Sequence, residues 1–481
     1  MSERTQAALY PDGPATPMAQ QILEHRSLLQ RAMGLPTGIK LVASMLGLGF
    51  LALNVGIGFL IVDGRLDGEW YDIRDIGFAV DRLRLELDDV GAGPWLSYWV
   101  TALIGGLAIL SFVGGVLLIG SWVERRLLAK FQIRQGPNRV GPFGLLQPLA
   151  DAIKLMQKEA LIPLGADRFL FYLPPVLIFI PAMLGWGPVP WAENMTYLDI
   201  NVGLVYVIAI SSLAVIAIFL AGWSSNNHYA LLGGMRTVAM MVSYEIPISL
   251  ALLTVVLFTG SLQLSEIVAW QSTHNTWLGL LLPLPLFTFF FASTAEINRT
   301  PNDIGEAESE IVAGFHTEYS GMKAGLFLAV ELGNAMLIGA FVATFFLGGY
   351  TLFGLEEWIP GYLIIFAKIS SVYFLLVWLR GTLPRFRLDQ LMGFAWKFLM
   401  PLSIFQVFLV AVEVSVISRT DFEGIVELGA VGVINLVVTV VSVRLLANAL
   451  GYNPRSGALR KPRLTGEVGG LRAARTLRAG S

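Results

Sequence analysis

The amino-acid sequence predicts an all-α fold, a polytopic bundle of about ten transmembrane helices with amphipathic helices along the cytoplasmic interface. Three observations favour this fold class. Of the 481 residues, 55% are hydrophobic and 14% are charged, whereas a soluble domain usually carries about 25% charged residues. The mean hydropathy is +0.66. The apolar residues also fall in runs of about 20, which is the length that crosses a bilayer as a helix.

Ten apolar runs have the length of a spanning helix, and they lie at about residues 40–62, 98–122, 168–187, 203–222, 236–260, 277–297, 323–349, 360–380, 394–417 and 429–448. The first run is too long for a cleaved signal peptide and lacks a convincing cleavage site before Asp63. Lysine and arginine are concentrated in residues 124–168, in 380–397 and after 449. If all ten runs cross the membrane, these segments share one side, which the positive-inside rule assigns to the cytoplasm. The acidic loop 63–97 then lies outside, and both termini are expected in the cytoplasm.

Residue types that are rare or missing exclude several kinds of redox site. The chain has no cysteine, which excludes disulfides, zinc–thiolate sites and cysteine-ligated iron–sulfur clusters. Its histidines lie outside the apolar runs, namely at His25, His228, His274 and His316. A membrane-embedded haem held by two histidines is therefore excluded, and the net charge of −2 argues against nucleic acid as a partner. We expect this chain to carry no electrons on a metal of its own.

A long basic segment from Glu124 to Glu159 follows the second apolar run. After Pro148 its apolar residues Leu149, Ile153 and Met156 recur at helical spacing, which predicts a short helix lying in the membrane interface. One interpretation is a simple positive-inside anchor. The functional interpretation is a basic platform for a soluble partner, or the mouth of a tunnel for a lipid-soluble substrate.

Glu245, Glu331 and Lys368 are charged residues that lie well inside predicted spans. An ionised group at the centre of a spanning helix costs about 2.5–3.5 kcal/mol even on a lenient scale, so such residues usually face the interior of a bundle. One alternative is that Lys368 forms a structural pair with one of the glutamates. A single base cannot neutralise both acids, so at least one of them is expected to serve another purpose.

The segment from Ala295 to Ser320 lies between two apolar runs and is strongly acidic. Against Arg299 it carries six carboxylates, Glu296, Asp303, Glu306, Glu308, Glu310 and Glu318. Clustered and partly buried carboxyl groups raise one another's pKa through desolvation and like-charge repulsion, which suits groups that exchange protons near neutral pH. The segment therefore predicts the entrance of a proton path.

Four motifs, occurring in order over about residues 98–417, closely resemble a known family: "ERRLLAKFQIRQGPNRVGPFGLLQPLADAIKLMQKE", "GWSSNNHYALLGGMR…SYE", "AEINRTP…EAESE…GFHTEYS" and "RGTLPRFRLDQLMGFAWKFLMP". That family is the H membrane subunit (subunit 1 in mitochondria) of NADH-quinone oxidoreductase, respiratory complex I. The resemblance implies a subunit of the bacterial plasma membrane with no redox centre of its own, which encloses most of the quinone tunnel and starts the charged pathway to proton pumping. It also implies that FMN and iron–sulfur clusters lie in partner subunits, with the peripheral arm on the cytoplasmic side, other membrane-arm subunits alongside and lipid around the bundle.

The resemblance assigns two groups of residues. Matching the quinone-tunnel and peripheral-arm junction are Glu124, Arg125, Arg134, Asp151, Lys154, Arg380, Arg385, Arg387 and Asp389, with Leu328 where relatives often have an aromatic residue near the tunnel. Matching the proton pathway are Glu245, Glu296, Arg299, Asp303, Glu306, Glu308, Glu310 and Glu331. The usual "PFDLPE" reads "PNDIGE" in this chain, with Asn302, Ile304 and Gly305, which predicts a less packed and more mobile loop.

Five regions are expected along the chain: an N-terminal extension (1–38), an extra span with an acidic external loop (39–97), the functional core (98–417), an extra C-terminal span (418–448) and a basic tail (449–481). Peripheral packing is the default expectation for the two extra spans. Two other functions stay open. One is the homologous membrane subunit of an energy-converting hydrogenase or ferredoxin-linked ion pump, and the other is an independent proton-coupled transporter, although the sequence shows no internal repeat.

Overall fold

The computed structural model describes residues 93–193, 195–303, 305, 312–354, 358–417 and 425–449, together with two short strands at 452–453 and 458–459. Several predicted features lie outside these residues. They are the N-terminal extension 1–38, the first predicted span 40–62, nearly all of the acidic loop 63–97, most of the basic tail, and Glu306, Glu308 and Glu310.

The described residues form helices in the following order: α1 (Pro94–Phe131), α2 (Gln147–Gln157), α3 (Arg168–Leu184), α4 (Gly203–Ser224), α5 (His228–Thr259), α6 (Leu264–Thr273), α7 (Leu278–Leu281), α8 (Pro283–Glu296), α9 (Met322–Phe346), α10 (Gly361–Thr382), α11 (Leu388–Phe394), α12 (Met400–Ile417) and α13 (Ile425–Ala449). Short 3₁₀ turns occur at Pro142–Gly144 and Gly314–His316, and a π-helical segment at Ala395–Leu399 joins α11 to α12. Strands β1 (Tyr452–Asn453) and β2 (Ala458–Leu459) pair antiparallel.

Nine of the ten predicted spans fall on these helices, and the all-α membrane bundle is confirmed. Within the described ranges, five helical stretches are long and apolar enough to cross a membrane: α4, α5, α9, α10 and the continuous run Leu388–Ile417. Helix α3 and residues Val431–Ser442 of α13 are apolar but shorter. Helix α1 has 38 residues and is about 57 Å long, so it extends well beyond the hydrocarbon core and carries the basic residues that follow Glu124.

The predicted span at 277–297 is wrong as a single helix. The chain breaks into α7 and α8 at Leu282, whose backbone angles of φ −120° and ψ 61° are not helical. The next residue is Pro283, and a proline disfavours the helical conformation in the residue before it. Helix α8 starts at this break and ends at Glu296, where the acidic segment begins.

Helix α9 lies at the centre of the hydrophobic core. Most of its second half is buried, and Ala335, Ala340 and Ala343 are fully enclosed. Small side chains allow neighbouring helices to approach closely inside a membrane. At Gly339, an added Cβ would lie 3.1 Å from the backbone oxygen of Ile369 on α10. This close packing fixes α9 between its neighbours and holds Glu331 at a defined position.

The loop that follows α8 is tightly packed where it is described, so the expectation of a less packed loop is wrong for these residues. Asn302 is fully buried and donates from Nδ2 to Thr294 Oγ1 at 3.1 Å. A Cβ on Gly305 would lie 2.5 Å from Oγ1 of Thr237 on α5. The glycine therefore lets the loop approach α5, and the Nδ2 group of the asparagine finds a partner inside the protein.

Candidate functional site

A buried cluster of charged side chains joins α1, α9, α10 and the loop after α8. Arg299 donates from Nη1 to Glu124 Oε1 at 2.6 Å, and its Nε lies 3.2 Å from Glu331 Oε1 in an ion pair that lacks hydrogen-bond geometry. Arg380 also donates to Glu124 Oε1. Tyr373 donates from its hydroxyl to Glu124 Oε2 at 2.9 Å. Two carboxylates from distant parts of the chain thus share one guanidinium.

The composition of this cluster explains how it tolerates burial. Glu124 and Arg299 are only 6% and 5% exposed, and an uncompensated charge at such a depth is strongly unfavourable. Glu124 and Glu331 supply two negative charges, while Arg299 and Arg380 supply two positive charges. The ion pairs therefore sum to zero, and an event that changes one charge disturbs the others.

Two further ion pairs lie next to this cluster and hold the predicted junction together. Arg125 donates to Asp151 Oδ2 of α2 at 2.5 Å, and Arg385 donates to Asp303 Oδ2 at 2.5 Å. The backbone N–H of Phe386 donates to the carbonyl of Pro301 at 3.0 Å. The segments 124–151, 299–303 and 380–386 therefore lie next to one another in the fold.

Asp151 lies outside the spanning segments, and its surroundings favour the ionised carboxylate. Partial burial opposes ionisation, but the hydrogen bonds from Arg125 and from Gln147, the latter at 3.1 Å, outweigh it together with the charges of Arg125 and Lys154. The pKa of Asp151 is consequently held below its ordinary value. The pair with Arg125 is thus present at neutral pH.

Other residues assigned to the junction are exposed. Arg134, Lys154, Arg387 and Asp389 form no ion pair within the part of the chain that the structure describes. Leu328 is 54% exposed on the otherwise well-buried α9. These exposed side chains are accessible on the described surface to a ligand, to lipid or to another protein.

The two intramembrane acids Glu245 and Glu296 lie close together between α4, α5 and α8. Ser212 donates to Glu245 Oε1, and its neighbour Ser211 lines the same cavity as Glu296. The charge of Glu245 acts directly on Glu296. Like charges repel each other, so the two carboxyl groups are electrostatically linked.

A cavity lies beside Glu296 and is enclosed by α3, α4, α5, α8 and α9. Most of its wall is apolar, and its polar lining consists of Ser211, Ser293, Glu296 and Asn334. About 80 Å³ is open to the centres of water molecules, whereas one ordered water needs roughly 10–15 Å³ of such space. The cavity therefore has room and hydrogen-bonding partners for several waters.

Helix α9 connects the charged cluster to this cavity. Glu331 pairs with Arg299, and Asn334 lines the cavity. Residues three apart on an α-helix lie on the same face, so Asn334 continues from Glu331 towards Glu296. The arrangement forms a polar sequence from Glu124 through Arg299 and Glu331 to the cavity.

Sequence reasoning missed several polar members of this site. The Ser211–Ser212 pair and Asn334 were detectable, because they are polar residues inside strongly apolar helices. Tyr373 carried no signal, since a tyrosine in a spanning helix is more often an interface anchor. Its role depends on the distance to Glu124, which only the fold determines.

The alternative that Lys368 neutralises Glu245 or Glu331 is wrong among the residues described. Lys368 Nζ donates to the carbonyls of Leu347, Gly349 and Thr351 at 2.5, 2.9 and 2.5 Å. These carbonyls follow the C-terminal end of α9, where a cation interacts favourably with the helix dipole. Glu331 lies 16 residues before Leu347, about 24 Å along the helix axis.

The described residues contain no group of three or more histidine, aspartate or glutamate side chains that could hold a metal ion. The fold and site define a class of protein: a polytopic helical membrane protein with a charge-balanced buried cluster at one end and a carboxyl-lined cavity inside the bundle. Comparison with known proteins narrows this class.

The family model described as NADH dehydrogenase matches residues 104–411. The chain is 50% identical over 317 residues to the NADH-quinone oxidoreductase H subunit of Dehalococcoides mccartyi, covering 66% of this chain and 88% of that protein. It is 49% identical over 305 residues to the NADH-quinone oxidoreductase H subunit of Rickettsia canadensis, covering 63% and 89%. The chain therefore belongs to the NADH dehydrogenase family of membrane subunits, as its four motifs predicted.

Proposed function

We propose that this chain is the membrane subunit of a proton-translocating NADH:quinone oxidoreductase that binds quinone and begins the proton path. The observation that carries the proposal is Arg299, which pairs with Glu124 at the junction and with Glu331 on the way to the cavity. A charge that forms or disappears on quinone during reduction would act on the carboxylate of Glu124. The guanidinium of Arg299, which both carboxylates share, would transmit this change to Glu331.

The junction is the proposed quinone and peripheral-arm site. Its members are Glu124, Arg125, Arg134, Asp151, Lys154, Leu328, Arg380, Arg385, Arg387 and Asp389. The ion pairs that join α1, α2 and the 380–387 segment support this assignment, because they give the basic loops one common surface. The exposed Leu328 offers an apolar contact for an isoprenoid tail.

The proposed proton path follows the carboxyl groups inside the bundle. It comprises Glu245, Glu296, Arg299, Asp303, Glu306, Glu308, Glu310 and Glu331. The cavity beside Glu296 supports this part of the proposal, since water there would carry protons between side chains that do not touch. The electrostatic interaction between Glu245 and Glu296 supports including both carboxyl groups in one path.

The chain works in this proposal only within a larger complex. It has no cysteine, so iron–sulfur clusters, and with them FMN, belong to partner subunits of the peripheral arm on the cytoplasmic side. Other membrane-arm subunits and lipid surround the bundle. We place the protein in the bacterial plasma membrane with both termini in the cytoplasm, with residues 98–417 as its functional core between the extra N- and C-terminal regions.

A photoreactive quinone analogue tests the quinone site in the intact complex. We expect it to label peptides from α1, α2 and the first half of α9, and an excess of unmodified quinone to suppress the label. Arg125→Met should reduce labelling, because it removes the ion pair with Asp151 that joins α1 to α2 at the proposed site. Lys130→Met is the matched control, since Lys130 is an exposed charge on the same helix and forms no ion pair within the described residues.

The purified chain alone should neither oxidise NADH nor reduce quinone. Robust quinone reduction by the isolated protein would contradict the proposal and favour an independent activity. The hydrogenase-type alternative predicts nickel and hydrogen chemistry among the co-purifying subunits. The relatives reported above are named as NADH-quinone oxidoreductase subunits, which favours the first function.

A further inference from the structure

A further carboxyl group, partly buried, lies between α12 and α13. Asn435 of α13 is 2% exposed and donates from Nδ2 to Glu413 Oε2 of α12 at 3.0 Å. The Glu413 Oε1 atom is buried and has no hydrogen-bond partner among the described residues. The family match ends at residue 411. This pair therefore lies outside the segment that the chain shares with the family model.

Glu413 continues a polar stripe along one face of α12. Ser403, Gln406 and Val410 precede it at intervals of three or four residues and are at most 1% exposed, so the four side chains share one inward face. Gln406 Oε1 accepts a hydrogen bond from Thr288 Oγ1 of α8 at 3.3 Å. The apolar helix α12 thus has a hydrogen-bonding face inside the bundle.

No described cation neutralises Glu413. The titratable side chains that the structure describes on the elements around it form no ion pair with it; these are His228, Tyr229, Arg236, Tyr244 and Glu245 of α5, Glu296 of α8, Lys397 of the π-helical segment and Arg444 of α13. An ionised carboxyl group inside a bilayer is costly when it is unpaired. The neutral, protonated form is therefore the favourable one for Glu413.

Helix α13 partly covers this carboxyl group. It packs against α7 and α8, and Gly432 permits a close approach, since a Cβ there would lie 3.3 Å from the carbonyl oxygen of Leu280. Asn435 faces inward, while Val433, Ile434 and Val437 are exposed on the outer side. Helix α13 thereby supplies one polar contact to Glu413 and an apolar surface to its surroundings.

We propose that Glu413 is a proton-binding site within the membrane-spanning bundle, which holds a proton at neutral pH and is partly screened from lipid by α13 through Asn435. The site is separate from Glu245 and Glu296. It stands on the geometry of α12 and α13 and does not depend on the proposed quinone chemistry. The extra C-terminal helix then completes a binding site for a proton.

A lipid-soluble carbodiimide tests the proposal on the intact complex in its native membrane. The reagent requires a protonated acid: the carboxyl oxygen bonds to the central carbodiimide carbon, and the acid proton moves to a nitrogen. The acyl group then migrates to nitrogen and gives a stable N-acylurea without a leaving group. Peptide mass spectrometry locates the product. Glu266 is the control in the same digest, because its carboxyl group is exposed and accepts a hydrogen bond from Ser261.

We expect Glu413 to carry more label than Glu266 in the wild-type complex. Asn435→Leu should increase the label by about fivefold, the factor that corresponds to one ordinary hydrogen bond, and Glu413→Gln should abolish it. Absence of label at Glu413 in both wild type and Asn435→Leu would overturn the proposal. Equal labelling of Glu413 in the wild-type and Asn435→Leu complexes would overturn the covering role of α13. If the Asn435→Leu complex does not assemble, the amounts of label at Glu413 and Glu266 in the wild-type complex still test whether Glu413 is protonated, and label at Glu413 no greater than at Glu266 would overturn the proposal.

Discussion

Arg299 bonds to Glu124 across 175 residues of sequence, with 2.6 Å between Nη1 and Oε1 and with both side chains less than one tenth exposed. The same guanidinium lies 3.2 Å from Glu331. One cation therefore links a carboxylate at the junction to a carboxylate that leads to the cavity. Because the pairs are buried, a change of charge at one end is poorly screened and reaches the other.

Arg299→Met should strongly destabilise the assembled complex, because it leaves two buried carboxylates without their shared cation. Removing one partner of a buried ion pair typically costs about 3–5 kcal/mol. We expect much less complex to survive mild heating and the remainder to reduce quinone slowly. Survival of assembled complex after graded heating is the measurement.

Arg125→Met is the matched control for Arg299→Met. Its pair with Asp151 is partly exposed, at 51% and 26%, and exposed pairs contribute about 0–1 kcal/mol. Equal loss of complex in the two variants would contradict the special position of Arg299.

The pair between Arg125 and Asp151 should be insensitive to pH over the physiological range. The folded pKa of Asp151 lies below its ordinary value, so the contribution of the ionised form is present above about pH 4 and is lost only as the pH falls through the lower folded value. Asp151→Asn should therefore slow quinone reduction by one constant factor from about pH 5 to pH 9. The test is the ratio of mutant to wild-type rates, and a ratio that varies with pH in this range would disprove it.

Asn334→Leu should impair proton movement without unfolding the bundle. The substitution keeps the size of the side chain but removes polar groups from the cavity that Glu296 also lines, so water there loses a hydrogen-bonding partner. We expect the assembled variant to lose most of its quinone-coupled proton release. Leu337→Met, a volume-conserving change in the same wall, should leave proton release near the wild-type level. Similar losses in both variants would indicate a packing effect instead.

The sequence was sufficient for the fold class and for the segments that form the site. Nine of the ten apolar runs fall on helices that the structure describes. Basic residues in two distant loops indicated one common surface, which the contact between Arg380 and Glu124 now supports. The break at Leu282 was foreseeable from Pro283 but was overlooked, because the surrounding residues remain apolar. The mean hydropathy of a run of about 20 residues does not show a single position at which the helix is interrupted.

Side-chain partners were the part that the sequence could not provide. Lys368 was considered as a partner for intramembrane acids, yet it reaches carbonyls beyond the end of α9. A charged residue in a spanning helix shows that a partner is needed, but hydropathy does not show in which direction it lies. Tyr373 and Asn334 acquire meaning only once the helices are packed against each other.

The central claim is that Glu245 takes part in a proton path coupled to quinone reduction. The direct measurement is simultaneous NADH oxidation and proton release by assembled Glu245→Gln complex, with Glu266→Gln as the control for an exposed acid. Glutamine keeps the shape and the contact with Ser212 but removes the titratable proton. The account predicts that Glu245→Gln loses most of both activities together while Glu266→Gln keeps them. Normal oxidation and normal proton release by the assembled Glu245→Gln complex would contradict it.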